Sequence, residues 1–122
     1  MEKCVFSLSG ITLLTMGYVY LLMAVDNQGN ESYKIGITKN PVEKRLKQLQ
    51  TGNPSKIKIL HVYETPNYLK VESMLHRKYQ TLTESNNEWR ILSNEQIFSF
   101  LDDCKKADEL ITMLLKENHF YK

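Results

Sequence analysis

Two apolar runs separated by a polar turn occupy residues 18–37, which read YVYLLMAVDNQGNESYKIGI. The first run is too short for a free-standing core helix, and its branched and aromatic residues are typical of a buried strand. The residues between the runs, DNQGN at 26–30, are turn formers. The stretch therefore predicts a β-hairpin whose loop is longer than two residues.

A helix is indicated directly after the hairpin. Asn40 can cap it, Pro41 suits the first helical position, and Glu43 is placed to close a capping box. The TGNP sequence at 51–54 predicts the end of that helix.

A third strand and a second helix follow. Residues 56–63, KIKILHVY, alternate in polarity and predict a strand. One face of this predicted strand contains Ile57, Ile59 and His61. Thr65-Pro66 predicts the next helix start, and Asn67-Tyr68 could delay it. The apolar face of this helix contains Val71, Met74, Leu75 and Tyr79.

The C-terminal part of the chain predicts one long helix from about residue 94 to 117. Ser93 and Gln96 have the spacing of a capping box. The predicted buried face consists of Ile97, Phe98, Leu101, Leu110, Ile111, Leu114 and Leu115. Trp89, which follows a polar loop at 83–88, is predicted to be a core anchor.

These elements predict an α/β fold, with a small, mainly antiparallel three-stranded sheet flanked by helices and an added C-terminal helix. The chain of 122 residues is long enough to bury one modest core. It is too short for a catalytic domain together with an independent specificity domain. We expect an N-terminal extension at 1–16, a main domain at 17–92 and a C-terminal helix at 93–122 that packs on the same domain.

The N-terminal region raises the alternative of a membrane span, because residues 4–25 contain no charged side chain. Serine, threonine and glycine interrupt this stretch, and Lys3 is its only basic flank, so we favour a strand over a span or a signal peptide. Cys4 and Cys104 have neither zinc-site nor disulfide-framework spacing. Two reduced thiols and no membrane segment predict a cytoplasmic protein.

Basic residues are concentrated in the middle of the chain, although the formal net charge is only +2. Residues 31–80 carry 10 Lys or Arg against 4 Asp or Glu. Such a patch attracts a polyanion, while a solvated helix face is the plainer interpretation. The candidate nucleic-acid-binding residues are Lys39, Lys44, Lys47, Lys56 and Lys58.

Four short motifs and a tail occur in the order and spacing of one nuclease superfamily. They are GYVY at 17–20, KIGIT at 34–38, KRL at 44–46, ESMLH at 72–76 and NEW at 87–89. Together they resemble the GIY-YIG nuclease superfamily, in a branch whose second motif reads YKIGIT and whose tail reads E-x-x-x-H followed by E-W. The resemblance covers about residues 17–92.

The resemblance implies a DNA endonuclease that requires Mg²⁺ or Mn²⁺. Arg45 would hold the phosphate, since a guanidinium offers a planar fork of donors and stays charged. Glu72 would bind the metal through carboxylate oxygen. Tyr20 with Lys34 would orient or deprotonate the attacking water.

Two further residues have weaker support. Tyr18 is on the same strand face as Tyr20 but upstream of the motif tyrosine. His76 shares a helix face with Glu72 and would hydrogen-bond near the site or contact phosphate. The same pair could belong to a zinc site, for which no third ligand is evident.

Lys34 departs from the family pattern, because a tyrosine is expected two residues before Gly36. Tyr33 is one place off and points to the opposite face. Lys34 could take over the role of that tyrosine or be an ordinary strand lysine. Gly36 is expected to permit close approach of another group to the backbone.

Two alternatives to a nuclease follow from the same sequence. The first is a module that keeps the fold and binds DNA or a protein without cutting. The second is a protein interactor whose acidic C-terminal helix mimics a polyanion, through Asp102, Asp103, Asp108 and Glu109. A nuclease of this size that cuts both strands would benefit from forming a homodimer.

Overall fold

The computed structural model describes residues 15–79 and 89–117. The elements are β1 (Gly17–Val25), β2 (Glu31–Thr38), α1 (Val42–Gln50), β3 (Lys56–Thr65), α2 (Tyr68–Tyr79) and α3 (Asn94–Glu117). This confirms the predicted α/β fold with an antiparallel three-stranded sheet and a C-terminal helix. The predicted loop at 83–88, Cys4 and all but the last two residues of the 1–16 extension lie outside the described residues.

The sheet has the strand order β2-β1-β3, with both pairings antiparallel. β1 and β2 form the predicted hairpin. In its loop a side-chain oxygen of Asp26 accepts hydrogen bonds from the backbone N–H of Gln28 at 2.8 Å and of Asn30 at 2.9 Å. The central position of β1 explains its almost continuous burial.

The sheet has two buried faces, because successive side chains of β1 point in opposite directions. Tyr20 and Leu22 pack with Val42 of α1, on what we call the α1 face. Val19 and Leu21 pack on the opposite side, which we call the α2/α3 face. From the two helices this face receives Tyr68, Val71, Leu75, Tyr79, Phe100, Cys104, Ala107 and Ile111.

A bulge at Leu60 changes the faces of β3. Leu22 pairs with Ile59 and Leu21 pairs with His61, so Leu60 is the extra residue. The prediction that His61 shares a face with Ile59 is therefore wrong. Ile59 lies on the α1 face, whereas the His61 ring stacks on Phe100 of α3 with centroids 5.8 Å apart.

The start of α1 differs from the predicted cap. Pro41 occupies the cap position with a ψ of 139°, and no side chain caps the helix. Asn40 therefore does not cap α1, and its backbone N–H donates to Thr38 Oγ1 at 3.1 Å. A residue before proline disfavours the helical backbone, which keeps Asn40 outside α1.

The start of α3 confirms the predicted capping box. The Gln96 N–H donates to Ser93 Oγ at 3.1 Å, and the Ser93 N–H donates to Gln96 Oε1 at 2.9 Å. The predicted buried face is largely wrong, since Phe98 is 83% exposed. The exposed members of the prediction also include Leu101, Leu110, Leu114 and Leu115. The buried stripe instead contains Phe100, Asp103, Cys104, Ala107 and Ile111.

Two acidic residues of α3 face the domain. Asp103 Oδ2 accepts hydrogen bonds from the hydroxyls of Tyr79 at 2.6 Å and Ser99 at 2.9 Å. Asp108 accepts three hydrogen bonds, from the side chains of Tyr63, Thr65 and Asn67. These two carboxylates are engaged inside the protein, which weakens the interpretation of α3 as an acidic mimic.

Trp89 packs against the α1-face core, as predicted for a core anchor. Within the described parts of the chain, no helix is both long enough and apolar enough to cross a membrane. Cys104 is a buried free thiol, and burial raises its pKa to about 12.

Candidate active site

Tyr20 and Gly36 are direct partners across β1 and β2. Tyr20 is 1% exposed, and its ring lies over the Gly36 backbone. A Cβ at Gly36 would lie 2.5 Å from Tyr20 Cζ, closer than any real contact. Gly36 thus permits the close approach that was expected, and the approaching group is the tyrosine.

Arg45 reaches the same point from α1. Its Nε–H donates to the Tyr20 hydroxyl oxygen at 3.4 Å, and Nη1 donates to Gln48 Oε1 at 3.3 Å. Arg45 is half-buried. The helix therefore brings a guanidinium to the α1 face of the sheet, next to the motif tyrosine.

Gln48 is a site residue that the sequence analysis did not single out. It follows Arg45 by three positions, so both side chains lie on one face of α1. That spacing was the available signal. Its carboxamide limits the orientations of the guanidinium, because an i, i+3 bond restricts the arginine rotamers.

Lys34 lies on the α1 face, since its partner on β1 is Leu22. It is only 5% exposed. Burial lowers the pKa of Lys34, the positive charge of Arg45 lowers it further, and the negative charge of Glu72 raises it. Lys34 is therefore a buried amine in the electric field of both Arg45 and Glu72.

Glu72 belongs to α2, which packs its Val71 and Leu75 on the other side of the sheet. Its charge nevertheless acts on Lys34. Glu72 Oε2 lies 3.4 Å from His76 Nε2, and the two side chains are 24% and 20% exposed. The i, i+4 pairing that the sequence predicted is thus present.

The structure links five of the six catalytic and metal-binding candidates in series. Tyr20 contacts Arg45, Arg45 and Glu72 both act electrostatically on Lys34, and His76 pairs with Glu72. Tyr18 packs against the same α1-face core and is half-buried.

The five candidate DNA-binding lysines are all exposed but do not share one surface. Lys44 and Lys47 belong to α1, beside Arg45, and Lys39 directly follows β2. Lys56 and Lys58 pair with Val25 and Met23 of β1, which places them on the α2/α3 face. Lys39, Lys44 and Lys47 therefore belong to α1 or to the segment that leads into it, whereas Lys56 and Lys58 do not.

The donor set at Glu72 fits a hydrated hard cation. One partly exposed carboxylate suffices for Mg²⁺, which keeps several water ligands. A closed zinc site needs four ligands. In the described ranges, 15–79 and 89–117, no three His, Cys, Asp or Glu side chains are grouped so that they could hold a metal.

Comparison with known protein families identifies a domain in this chain. The T5orf172 domain matches residues 17–105, from the start of β1 into α3. This small domain is associated with nuclease-like proteins and has a three-stranded antiparallel sheet with helices. Neither the curated proteins nor the solved structures contain a match to the chain. Because the match spans well over half of the chain, the protein belongs to the T5orf172 domain family.

Proposed function

We propose that the protein is a divalent-metal-dependent endonuclease that hydrolyses DNA phosphodiester bonds, with a GIY-YIG-like active site. The observation that carries this proposal is the hydrogen bond between Arg45 Nε and the Tyr20 hydroxyl on the α1 face. It brings a phosphate-binding group and a water-orienting group to one point. The nuclease association of the domain family supports the same activity.

Each residue has a distinct task in the proposed reaction. Arg45 binds the phosphoryl oxygens, because its guanidinium can donate two parallel hydrogen bonds. Tyr20 orients the attacking water through its hydroxyl. The uncharged form of the Lys34 amine, which burial favours by lowering the pKa of Lys34, takes up the proton that the water releases as its oxygen bonds to phosphorus. The P–O bond to the leaving oxygen then breaks.

Glu72 is the residue that would hold Mg²⁺ or Mn²⁺, with His76 beside it. When bound, the ion polarises the phosphate and stabilises the charge on the leaving oxygen. The exposed Lys39, Lys44 and Lys47 would bind flanking phosphates of the same DNA.

The test is nicking of supercoiled plasmid in Mg²⁺ or Mn²⁺, with and without EDTA. We expect metal-dependent nicked product that EDTA abolishes. Glu72→Gln should lower the rate at least about 100-fold, because metal-assisted charge stabilisation is worth several kcal/mol. Glu95→Gln, which removes an exposed carboxylate from α3, is the matched control and should nick like the parent chain. Full activity of Glu72→Gln, or nicking in EDTA, would contradict the proposal.

One observation favours a second candidate, a DNA-binding module that does not cut. The buried Lys34 stands where the resembling family has a tyrosine. This candidate predicts DNA binding that weakens steeply with salt and yields no metal-dependent product. A binding titration at several salt concentrations, run beside the nicking assay, separates the two.

A further inference from the structure

The connection between β3 and α2 is only two residues long and is tightly bonded. Thr65, the last residue of β3, is 1% exposed, and its Oγ1 accepts a hydrogen bond from the Asn67 N–H at 2.9 Å. The Asn67 carbonyl accepts a bond from the Val71 N–H at 2.9 Å, which closes the first turn of α2. These contacts fix the direction in which α2 leaves the sheet.

Asp108 of α3 holds this connection from outside. Its Oδ1 accepts hydrogen bonds from Thr65 Oγ1 at 3.0 Å and from Asn67 Nδ2 at 2.7 Å. Its Oδ2 accepts a bond from the Tyr63 hydroxyl at 2.8 Å. Three donors thus converge on one carboxylate, and bonds to an ionised acceptor are stronger than neutral ones.

The geometry of α2 matters because Glu72 lies in its first turns. Tyr68, the first residue of α2, packs its ring over Gly17, where an added Cβ would lie 2.5 Å from the ring. Arg45 and Lys34 belong to other elements, so Glu72 keeps its place relative to them only if α2 starts in one position. In an active site, a misplacement of about 1 Å can cost about 100-fold in rate.

Asp108 lies beyond the part of the chain that matches the family, which ends at residue 105. The continuation of α3 to Glu117 therefore adds a contact that the matched region does not contain. Asp103, five residues earlier, makes a comparable buried contact at the other end of α2, with the hydroxyl of Tyr79.

We propose that Asp108 is a positioning residue that, through Thr65 and Asn67, holds the start of α2 and so places Glu72 at the catalytic site. This proposal rests on the proposed nuclease function. It assigns to the part of α3 beyond residue 105 a part in catalysis without any contact to substrate.

The test compares Asp108→Ala with Asp103→Ala, which removes the matched carboxylate from the same helix. Two quantities are measured: hydrogen exchange of the Val71 amide, with the Ala24 amide of β1 reporting global unfolding, and kcat and KM for plasmid nicking. We expect Asp108→Ala to speed exchange at Val71 at least about tenfold relative to Ala24, because it removes the bonds from Thr65 and Asn67 that hold the start of α2. It should also lower kcat at unchanged KM, and Asp103→Ala should do neither.

Two further variants, Asp108→Asn and Asn67→Ala, test the same role with smaller changes. Asp108→Asn keeps an acceptor for Thr65 and Asn67 and should recover most of the kcat. If Asp108→Ala does not fold, Asn67→Ala removes one of the two links and should lower kcat in the same direction, while the carboxylate bonds to Thr65 and Tyr63 remain. Parental kcat in Asp108→Ala, or an equal loss in Asp103→Ala, would overturn the role of Asp108 alone. A parent chain that does not nick would overturn the proposed function and this inference together.

Discussion

The Tyr20 ring crosses the backbone of Gly36, its partner on the neighbouring strand, so that the missing side chain of one residue makes room for the other. The hydroxyl at the end of that ring meets Arg45 from α1. The position of Gly36 in the second motif is thereby explained by packing. The missing side chain of Gly36 determines where the Tyr20 ring lies, and the Tyr20 hydroxyl in turn contacts the Arg45 guanidinium.

Gly36→Ala should destabilise the protein and lower nicking. The new Cβ would come 2.5 Å from Tyr20 Cζ, and a ring that is 1% exposed has no free space into which it can move. We expect a loss of about 1–3 kcal/mol in the free energy of unfolding, typical of overpacking. Urea unfolding measures it. In a Tyr20→Ala background the same substitution should cost much less, and simple additivity of the two changes would contradict the packing argument.

Tyr20→Phe should separate activity from stability. It removes one hydroxyl and one long hydrogen bond, so the unfolding free energy should fall by less than about 1.5 kcal/mol. Nicking should fall by about 100-fold or more, because the attacking water loses the hydroxyl that orients it. Tyr18→Phe is the matched change on the same strand face and should have a smaller effect. Equal losses in the two variants would argue against a special role for Tyr20.

Lys34→Met should stabilise the fold while it removes activity. Burial and the charge of Arg45 both disfavour the protonated amine, so the pKa of Lys34 lies below that of a free lysine. A folded-state pKa below the unfolded value costs stability at neutral pH, and this cost fades as pH rises towards the lysine pKa of about 10.4. We expect a gain of about 1 kcal/mol at pH 7, within the range of single stabilising substitutions.

Thermal melts at pH 7 and pH 10 test the Lys34 prediction, with the exposed Lys70→Met as control. The gain should be smaller at pH 10 and absent in the control. A lower melting temperature of Lys34→Met at pH 7 would show that the buried charge contributes net stability.

The protein should lose stability as pH rises above 10. Burial and the hydrogen bond to Asp103 raise the pKa of Tyr79 above its ordinary value. The folded state therefore keeps the proton after the unfolded chain has lost it, and the stabilisation present below pH 10 declines above it. Tyr63 shifts in the same direction, through burial and Asp108.

Tyr79→Phe should reduce this alkaline slope and cost about 1–3 kcal/mol at pH 7, because Asp103 loses a buried donor. Urea unfolding from pH 7 to pH 11 measures both effects. A slope equal to that of the parent chain would show that Tyr79 does not contribute to the alkaline loss.

Much of the fold could be predicted because local signals agree with the final structure. Three features were predicted from residues that are close together in the sequence. They are the turn at 26–30, the Ser93–Gln96 capping box and the apolar face of α2. The buried face of α3 could not be predicted, since that helix has apolar residues on two sides. Cys104 and Ala107 are buried together with Phe100 and Ile111, whereas Phe98 is exposed, so the size of an apolar residue does not indicate which side of this helix is buried.

The site was predictable to a smaller extent. Motif order pointed to Tyr20, Arg45 and Glu72, and the structure connects the first two by a hydrogen bond. The partners of Asp108 lie 41–45 residues away along the chain, and no local pattern reports such contacts. Lys56 and Lys58 looked equivalent to the other lysines, although strand register places them on the opposite face of the sheet.

The bulge at Leu60 stores one extra residue in the middle of β3. Ile59 and His61 on either side of it already point to opposite faces of the sheet, so Leu60 is not needed for the alternation of the strand. Removing Leu60 would leave a regular strand in which Tyr63 and Thr65 still face Asp108, since side chains alternate with period two. A single-codon deletion at this position should therefore keep α3 coupled to the sheet, as should a deletion in the loop before Lys56.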